Sequence, residues 1–293
     1  MASPQRSQRQ WLTRYLTIQT HFDKKLDKLL LEAAQDAEKA LKQLQGKPGI
    51  GAEVRAAQLK GARAAMGKVL SDLWRQIGNL VRAGRFQVQA EALNASFDWD
   101  EVLLKRVYPD PKKRAAMRAS LLASADKNVD AMITRVLKSE RPLSTKVYRA
   151  QALSKGQLDR AINSALARGA SVSELTKVAK DFIRPDVAGG VTYAARRLAR
   201  TEINNAYHAQ SIEAQQGKPW VRAMEWHLSK SHRVPDLCNE YARIKEYPVD
   251  GVPDKPHPQC FCYVTPKTIS PDEFDKLFLA GGYRTWIESN YGA

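Results

Sequence analysis

The strongest constraint in the sequence is one apolar stripe over residues 10–45. Tyr15, Ile18, Phe22, Leu26, Leu29, Ala33, Ala37, Ala40 and Leu44 recur at steps of three and four, which keeps them on one face of an α-helix. A stripe of this length predicts a single long amphipathic helix, ended by Gly46-Lys47-Pro48-Gly49. The steps are close to a heptad, the repeat by which helices pair lengthwise, so self-association through long helices is expected. A second helix is predicted over 52–94. Val54, Ala62, Met66, Val69, Leu73, Ile77, Leu80 and Val88 lie on its apolar side, and Gly67, Gly78 and Gly84 weaken it. Together the two predict a long helical hairpin.

Shorter pieces follow. Breaks are predicted at Phe97-Asp98-Trp99-Asp100 and at Tyr108-Pro109-Asp110-Pro111, with helix resuming over 112–138 and ending at Arg141-Pro142-Leu143-Ser144. A helix over 155–168 closes at Gly169. Ser171 and Glu174 have the spacing of a capping box for a helix to about 182, and a longer helix covers 191–216. Residues 220–227 alternate as a strand does, and 261–266 reads as a second strand. Ser270 and Pro271 start a terminal helix as cap and first helical residue. The fold class is α+β, mainly α-helical: a long N-terminal helical hairpin, then a compact C-terminal domain of helices with a small β-sheet and a Cys/His-rich loop region. The corresponding domains are a basic, elongated helical one over 1–150 and a compact one over 151–293.

Charge narrows the partners. The chain of 293 residues carries 47 Lys and Arg against 31 Asp and Glu, a net +16. Residues 1–150 hold 28 basic and 15 acidic residues, and 151–293 hold 19 and 16. Such a field attracts polyanions, nucleic acid first among them, and Arg75, Arg82, Arg85, Lys112, Lys113 and Arg114 are the candidate contacts to double-stranded DNA. The plainer reading is a solvated basic helix face. No apolar run approaches the roughly 18–20 residues that span a bilayer, and no h-region with a cleavage site opens the chain, so an intracellular protein without membrane contact is expected. Three cysteines confined to 238–262 do not make a secreted disulfide scaffold.

The densest constellation is His232, Asp236 and Cys238, followed by His257, Cys260 and Cys262. Thiolate and imidazole are the ligands zinc prefers. His232, Cys238, His257 and Cys260 make one possible tetrahedral set, with Cys262 as an alternative, and the ion would be structural. On a strand, Cys260 and Cys262 would point to the same face. The other readings are buried small hydrophobes beside surface histidines, or a Cys238–Cys260 disulfide, which a reducing cytosol disfavours. A second group, Arg200, Thr201 and Glu202, opens a polar stretch of helix. Glu202 interrupts a small apolar face there and needs a partner, for which Arg196, Arg197, Arg200 or a backbone N–H of the C-terminal loop are candidates. With Asp236 these residues are read as a structural polar network. The chain has no GxGxxG, Walker A, HExxH or GxSxG motif, and no catalytic residue is assigned.

Taken in order, these pieces resemble a known family. RLARTEINNAYHAQ precedes the Trp-bearing strand AMEWHLSKSH, then the turn VPDLCNEYA, then the close KPHPQCFC. This order is similar to that of the phage Mu protein F-like head morphogenesis family, minor head proteins of tailed phages, over about 150–266. The family's marked positions fall here on Arg200, Thr201, Glu202, Trp226, Asp236, Cys238, His257, Pro258, Cys260 and Cys262. The family's usual Cys-Arg-Cys is Cys260-Phe261-Cys262, and Tyr241 stands where some members have another cysteine, so a four-cysteine site is not available. The resemblance implies a non-enzymatic minor capsid protein of the virion, present in the host cytoplasm during assembly. It would associate with the portal and capsid interior and, as in some members, with DNA. The alternative is an enzyme, or a toxin-linked module such as a nuclease, that uses the same Cys/His cluster.

Overall fold

The structure is a computed structural model that describes residues 4–43, 52–138, 141–168 and 170–292. Leu44, the Gly46-Lys47-Pro48-Gly49 turn and Gly169 lie outside the described residues, as does the side chain of Val54. The fold is α+β and mainly α-helical. Helices α1 (Pro4–Lys42), α2 (Ala52–Val107), α3 (Pro111–Ala123), α4 (Val129–Val136), α5 (Leu143–Ala167), α6 (Val172–Ile183) and α7 (Gly190–Glu213) come first. Strand β1 (Val221–His227), α8 (Leu237–Ile244), β2 (Glu246–Tyr247), β3 (Tyr263–Thr268), α9 (Pro271–Leu279) and α10 (Arg284–Tyr291) follow.

By contact the chain divides into two compact units, and they differ from the division at residue 150 that composition suggested. The helical unit takes Thr20–Ala83 and Arg141–Arg200; the sheet unit takes Met1–Gln19, Gly84–Glu140 and Thr201–Ala293. The residues of α1, α2 and α7 are shared between the two groupings.

Five helices pack the helical unit. Its core joins Leu26 through Leu41 of α1 and Met66 through Val81 of α2 to Leu158 and Ile162 of α5, Ala179 and Ile183 of α6 and Val191, Ala195 and Ala199 of α7. Small residues on α7 let its axis come near, and two arginines frame the contact: Arg196 pairs with Asp27 at 2.8 Å and Arg200 with Asp23 at 2.8 Å. The predicted capping box forms, with the Glu174 N–H on Ser171 Oγ and the Ser171 N–H on the Glu174 carboxylate. The turn between α6 and α7 needs Gly190: its φ is +56°, and a Cβ there would stand 2.3 Å from the Phe182 carbonyl oxygen.

In the sheet unit, antiparallel strands lie in the order β2-β1-β3, with Trp226 opposite Val264 and Met224 opposite Pro266. Phe97, Leu103 and Leu104 of α2 pack with Trp220, Phe274, Ile287 and Tyr291. The break predicted at 97–100 does not occur, because its acids find partners. Asp98 takes Arg14 and Arg118. Buried Asp100 accepts from Lys218 Nζ (2.5 Å), Trp220 Nε1 (2.8 Å) and the Tyr291 hydroxyl (2.5 Å), so α2 runs on to Val107. Conversely, the helix predicted over 112–138 splits, because Asn128 caps α4 by accepting the Ala131 N–H.

Candidate metal centre

The centre is assembled by the segment from α8 to β3, which packs on α7. From Glu202 to Gln210 every residue of α7 is buried, so the helix is enclosed on all sides. Several of its polar side chains are held by neighbours. The Asn204 amide donates to the Cys260 carbonyl at 3.0 Å, while its oxygen accepts from Gln19 Nε2 at 2.8 Å and from the Tyr15 hydroxyl of α1. Thr201 Oγ1 accepts the Gln259 N–H at 3.1 Å. Gln259 sits at φ +59°, a left-handed conformation unusual for a side chain of its kind, immediately before Cys260. The helix thus holds the strained residue that aims Cys260 inward.

Asp236 caps α8: its Oδ1 accepts the Cys238 N–H at 2.7 Å, and Asn239 Oδ1 accepts the Asp236 N–H at 3.0 Å in return. No helical period is readable here, because a two-turn helix started by a cap leaves too short a pattern. That capping places Cys238 0% exposed, 3.5 Å from Cys260 Sγ and 3.7 Å from His257 Nε2. A tetrahedral zinc ion with Zn–S of about 2.3 Å and Zn–N of about 2.0–2.1 Å separates its ligands by roughly 3.5–3.8 Å. The two separations are those of tetrahedron edges.

Two overlapping groups share Cys238. One is Cys238, Cys260 and Cys262, all buried; the other is His232, Asp236, Cys238 and His257, partly exposed at the histidines and exposed at Asp236. In each, the ligand atoms lie within 4.8 Å of one another. Cys262 falls before β3 and not on the strand predicted over 261–266, and Cys260 also precedes β3, yet both sulfurs turn to the same side. The three thiols are free, with no disulfide.

The hydrogen bonds distinguish the two imidazoles. Asn239 Oδ1 must be an acceptor, since a backbone N–H donates to it, and His232 Nε2, 2.8 Å away, is then the donor. That nitrogen has no lone pair for a metal. His257 Nδ1–H donates to the Pro258 carbonyl at 3.0 Å, and Nε2 faces Cys238 Sγ and, at 3.0 Å, Asp236 Oδ2; that oxygen only accepts, so Nε2 donates a proton to it and an ion would take that proton's place. A ring nitrogen anchored on a carbonyl, with the other turned to the ion, is the usual arrangement of a ligating histidine. Lys255, which sequence reasoning passed over, donates to the carbonyls of Cys260 and Cys262 at 2.9 and 2.8 Å. Hydrogen bonding from Cys262, with Lys255 nearby, holds the Cys260 thiol down to about 5, whereas burial pushes Cys238 up to about 12. Lysine inside a cysteine loop is the signal that was available: a cation there offsets clustered thiolate charge.

The four residues read as one polar network are held by four different partners. Arg200 pairs with Asp23, Thr201 holds Gln259, Glu202 pairs with Arg85, and Asp236 caps α8. Arg85, 2% exposed, is a partner of Glu202 that the sequence did not suggest: it reaches the carboxylate from α2 and also pairs with Asp130. Arg85 is therefore not a surface contact for DNA. Nor is Arg114 well placed for one, since its guanidinium donates to the carbonyls of Tyr108 and Pro109 at 2.7 Å each. Arg75, Arg82, Lys112 and Lys113 remain exposed, the first two in the helical unit and the lysines in the sheet unit. Among the described residues no helix is long and apolar enough to cross a membrane. Compared with protein-family models, curated proteins and solved structures, the chain matches none.

Proposed function

We propose that this protein is a non-catalytic head-assembly component of a tailed phage, of the phage Mu protein F-like kind, whose sheet unit is tied together by a structural zinc ion. Cys238, Cys260 and Cys262 would hold the ion, with His257, which reaches Cys238 Sγ but stands outside the group of three sulfurs, turning in as the fourth ligand, and His232 and Asp236 would brace them. Bound there, zinc joins α8 to the loop before β3 and stabilises a segment with little apolar core of its own. The partners are the portal and the capsid interior, with DNA close by, and the location is the virion near the portal.

The observation that carries this reading is the sealing of the sulfurs: Cys238, Cys260 and Cys262 are 0, 2 and 1% exposed. A nucleophilic thiol or a catalytic zinc needs an open position that substrate can reach, whereas a structural ion needs none. The assignment to phage heads rests on the ordered motifs from Arg200 to Cys262.

Quantitative mass spectrometry of purified particles, before and after triggered DNA release, tests the assignment. A few copies per particle is the expected result, and absence from particles overturns it. Metal analysis of the purified protein tests the ion: one zinc per chain is expected, lost together in Cys238→Ser and Cys260→Ser. An enzyme using Cys238 and His257 would instead lose turnover in His257→Gln while keeping its fold.

A further inference from the structure

The basic charge of the chain is concentrated by folding. The helical unit holds 24 Lys and Arg against 11 Asp and Glu, a net +13, while the sheet unit holds 23 against 20. The excess is thus carried by fewer than half of the residues, drawn from two separate stretches of sequence.

Within that unit α2 and α5 lie side by side and run in opposite directions. A Cβ on Gly78 would stand 3.4 Å from Val147 Cγ2, a Cβ on Gly67 would stand 3.9 Å from Lys155 Cε, and Arg63 donates to Asn163 Oδ1. Of the three glycines expected to weaken α2, Gly78 faces α5 most closely, while Gly67 leaves room for a Cβ. At the Gly78 end the seam opens into a cavity of about 250 Å³ lined by Arg75, Asn79 and Arg82 of α2 and by Ser144, Tyr148 and Gln151 of α5, among others. No Asp or Glu lines it. The larger cavity of the sheet unit, about 510 Å³, by contrast sets Asp126 and Glu213 around Arg135.

Arg75 and Arg82 are two turns apart on one helix face, a rise of roughly 10 Å. Their guanidinium groups make local contacts, Arg75 with Asp72 at 3.3 Å and Arg82 with Asn79 at 3.3 Å, both exposed and weak. Tyr148, 70% exposed, stands on the opposite wall. Two exposed cations on one face, hydroxyl and amide donors near them and an exposed ring make a track for a sugar–phosphate backbone. The groove offers too few base-reading groups for sequence recognition.

We propose that the α2–α5 groove, through Arg75, Arg82, Ser144, Tyr148 and Gln151, is where this protein holds the phosphodiester backbone of nucleic acid, without regard to sequence. The surface names the DNA contact of the head role and rests on that reading only for where the DNA comes from; binding itself is measured on the isolated protein.

The test is fluorescence anisotropy of the full-length protein with a 30-base-pair duplex, the matching single strand and heparin, over a salt series. The comparison variants are Arg75→Gln with Arg82→Gln, and, in the sheet unit, the exposed pair Arg243→Gln with Lys276→Gln. Circular dichroism checks that each variant keeps its helix content. The groove pair should weaken DNA binding at least about tenfold and lower the slope of log K against log salt by roughly 2 on duplex, while the other pair stays within about twofold. Tyr148→Ala should weaken the single strand more than the duplex. Equal losses from the two pairs would mean diffuse charge and overturn the groove. So would no DNA binding, or heparin binding without DNA binding. Groove-dependent binding by a protein absent from particles would sustain this inference and remove the head assignment; the reverse pair of results would do the opposite.

Discussion

Arg85 and Glu202 are each almost wholly excluded from water, at 2% and 1% side-chain exposure, so neither charge is tolerable without the other. Arg85→Ala should cost about 3–5 kcal/mol in urea denaturation, since it takes from buried Glu202 the guanidinium that pairs with it. The double variant Arg85→Met with Glu202→Leu should recover most of that loss, because Asp130 is 40% exposed and can be hydrated. His208 makes the second prediction at this scale. Its Nε2–H donates to the Pro253 carbonyl at 3.0 Å, and burial, with Lys255 nearby, lowers its pKa to about 3. The folded state holds the neutral ring, whereas the unfolded chain takes up a proton near pH 6.5. This contribution to stability is therefore complete above about pH 6.5 and falls on acidification towards pH 3, by up to about 1.4 kcal/mol per pH unit. Urea midpoints of wild type and His208→Gln should converge over that window. Part of this was legible in sequence. Glu202 was visible as a carboxylate in need of a partner, and Arg85 sits four residues after buried Val81 and three before buried Val88, on the apolar stripe. Neither position reveals that the two face each other, because that requires knowing how α2 and α7 pack.

Elements were readable where local chemistry fixes them. The capping box of α6 and the Ser270 cap of α9 are decided by side chains within one turn, and both form as expected. Ser171→Ala should lower stability by about 1 kcal/mol, read as a shift in thermal midpoint. Helix continuity was harder, because it depends on distant partners: α2 passes Asp98 and Asp100 only because arginines, Lys218, Trp220 and Tyr291 meet them. Gly67 is a place where α2 tolerates more than its sequence uses. A Cβ there meets only the far end of Lys155 at 3.9 Å, so Gly67→Ala should stabilise by about 0.5–1 kcal/mol through helix propensity. The apolar face of α1 also has a different period from the heptad read at first. Trp11, Tyr15, Gln19, Phe22, Leu26, Leu30, Ala33, Ala37 and Leu41 are buried, at steps of four, four and three. Eleven residues in three turns is 3.67 per turn, near that of a straight helix, and buried Gln19 hid the pattern by being polar.

For the molecule as a whole, composition located the basic character but not its boundaries, because contact, not sequence order, decides which residues form a unit. The cluster of cysteines and histidines was visible as a group; which imidazole turns a nitrogen to the Cys238 sulfur was not, since that depends on Asn239 holding His232 and Pro258 holding His257. Chelation should act on the sheet unit. Stripping the metal should raise amide hydrogen exchange across 229–262 while α5 and α6 keep their protection, as followed by mass spectrometry; equal change in both would mean that the ion does not stabilise the sheet unit in particular.

The interleaving of segments bears on synthesis at the ribosome. The whole helical unit, which ends at Arg200, has been translated before the last segment of the sheet unit begins. Asp100 is made 191 residues ahead of Tyr291, whose hydroxyl it binds. At about 5–20 residues per second this is a delay of roughly 10–40 s. During it Trp11, Tyr15, Phe97 and Asp100 stand without their eventual neighbours in α7, α10 and the strand segment. The nascent chain therefore passes through a stage with a finished basic unit and an unfinished sheet unit, when its apolar surface is open to chaperones.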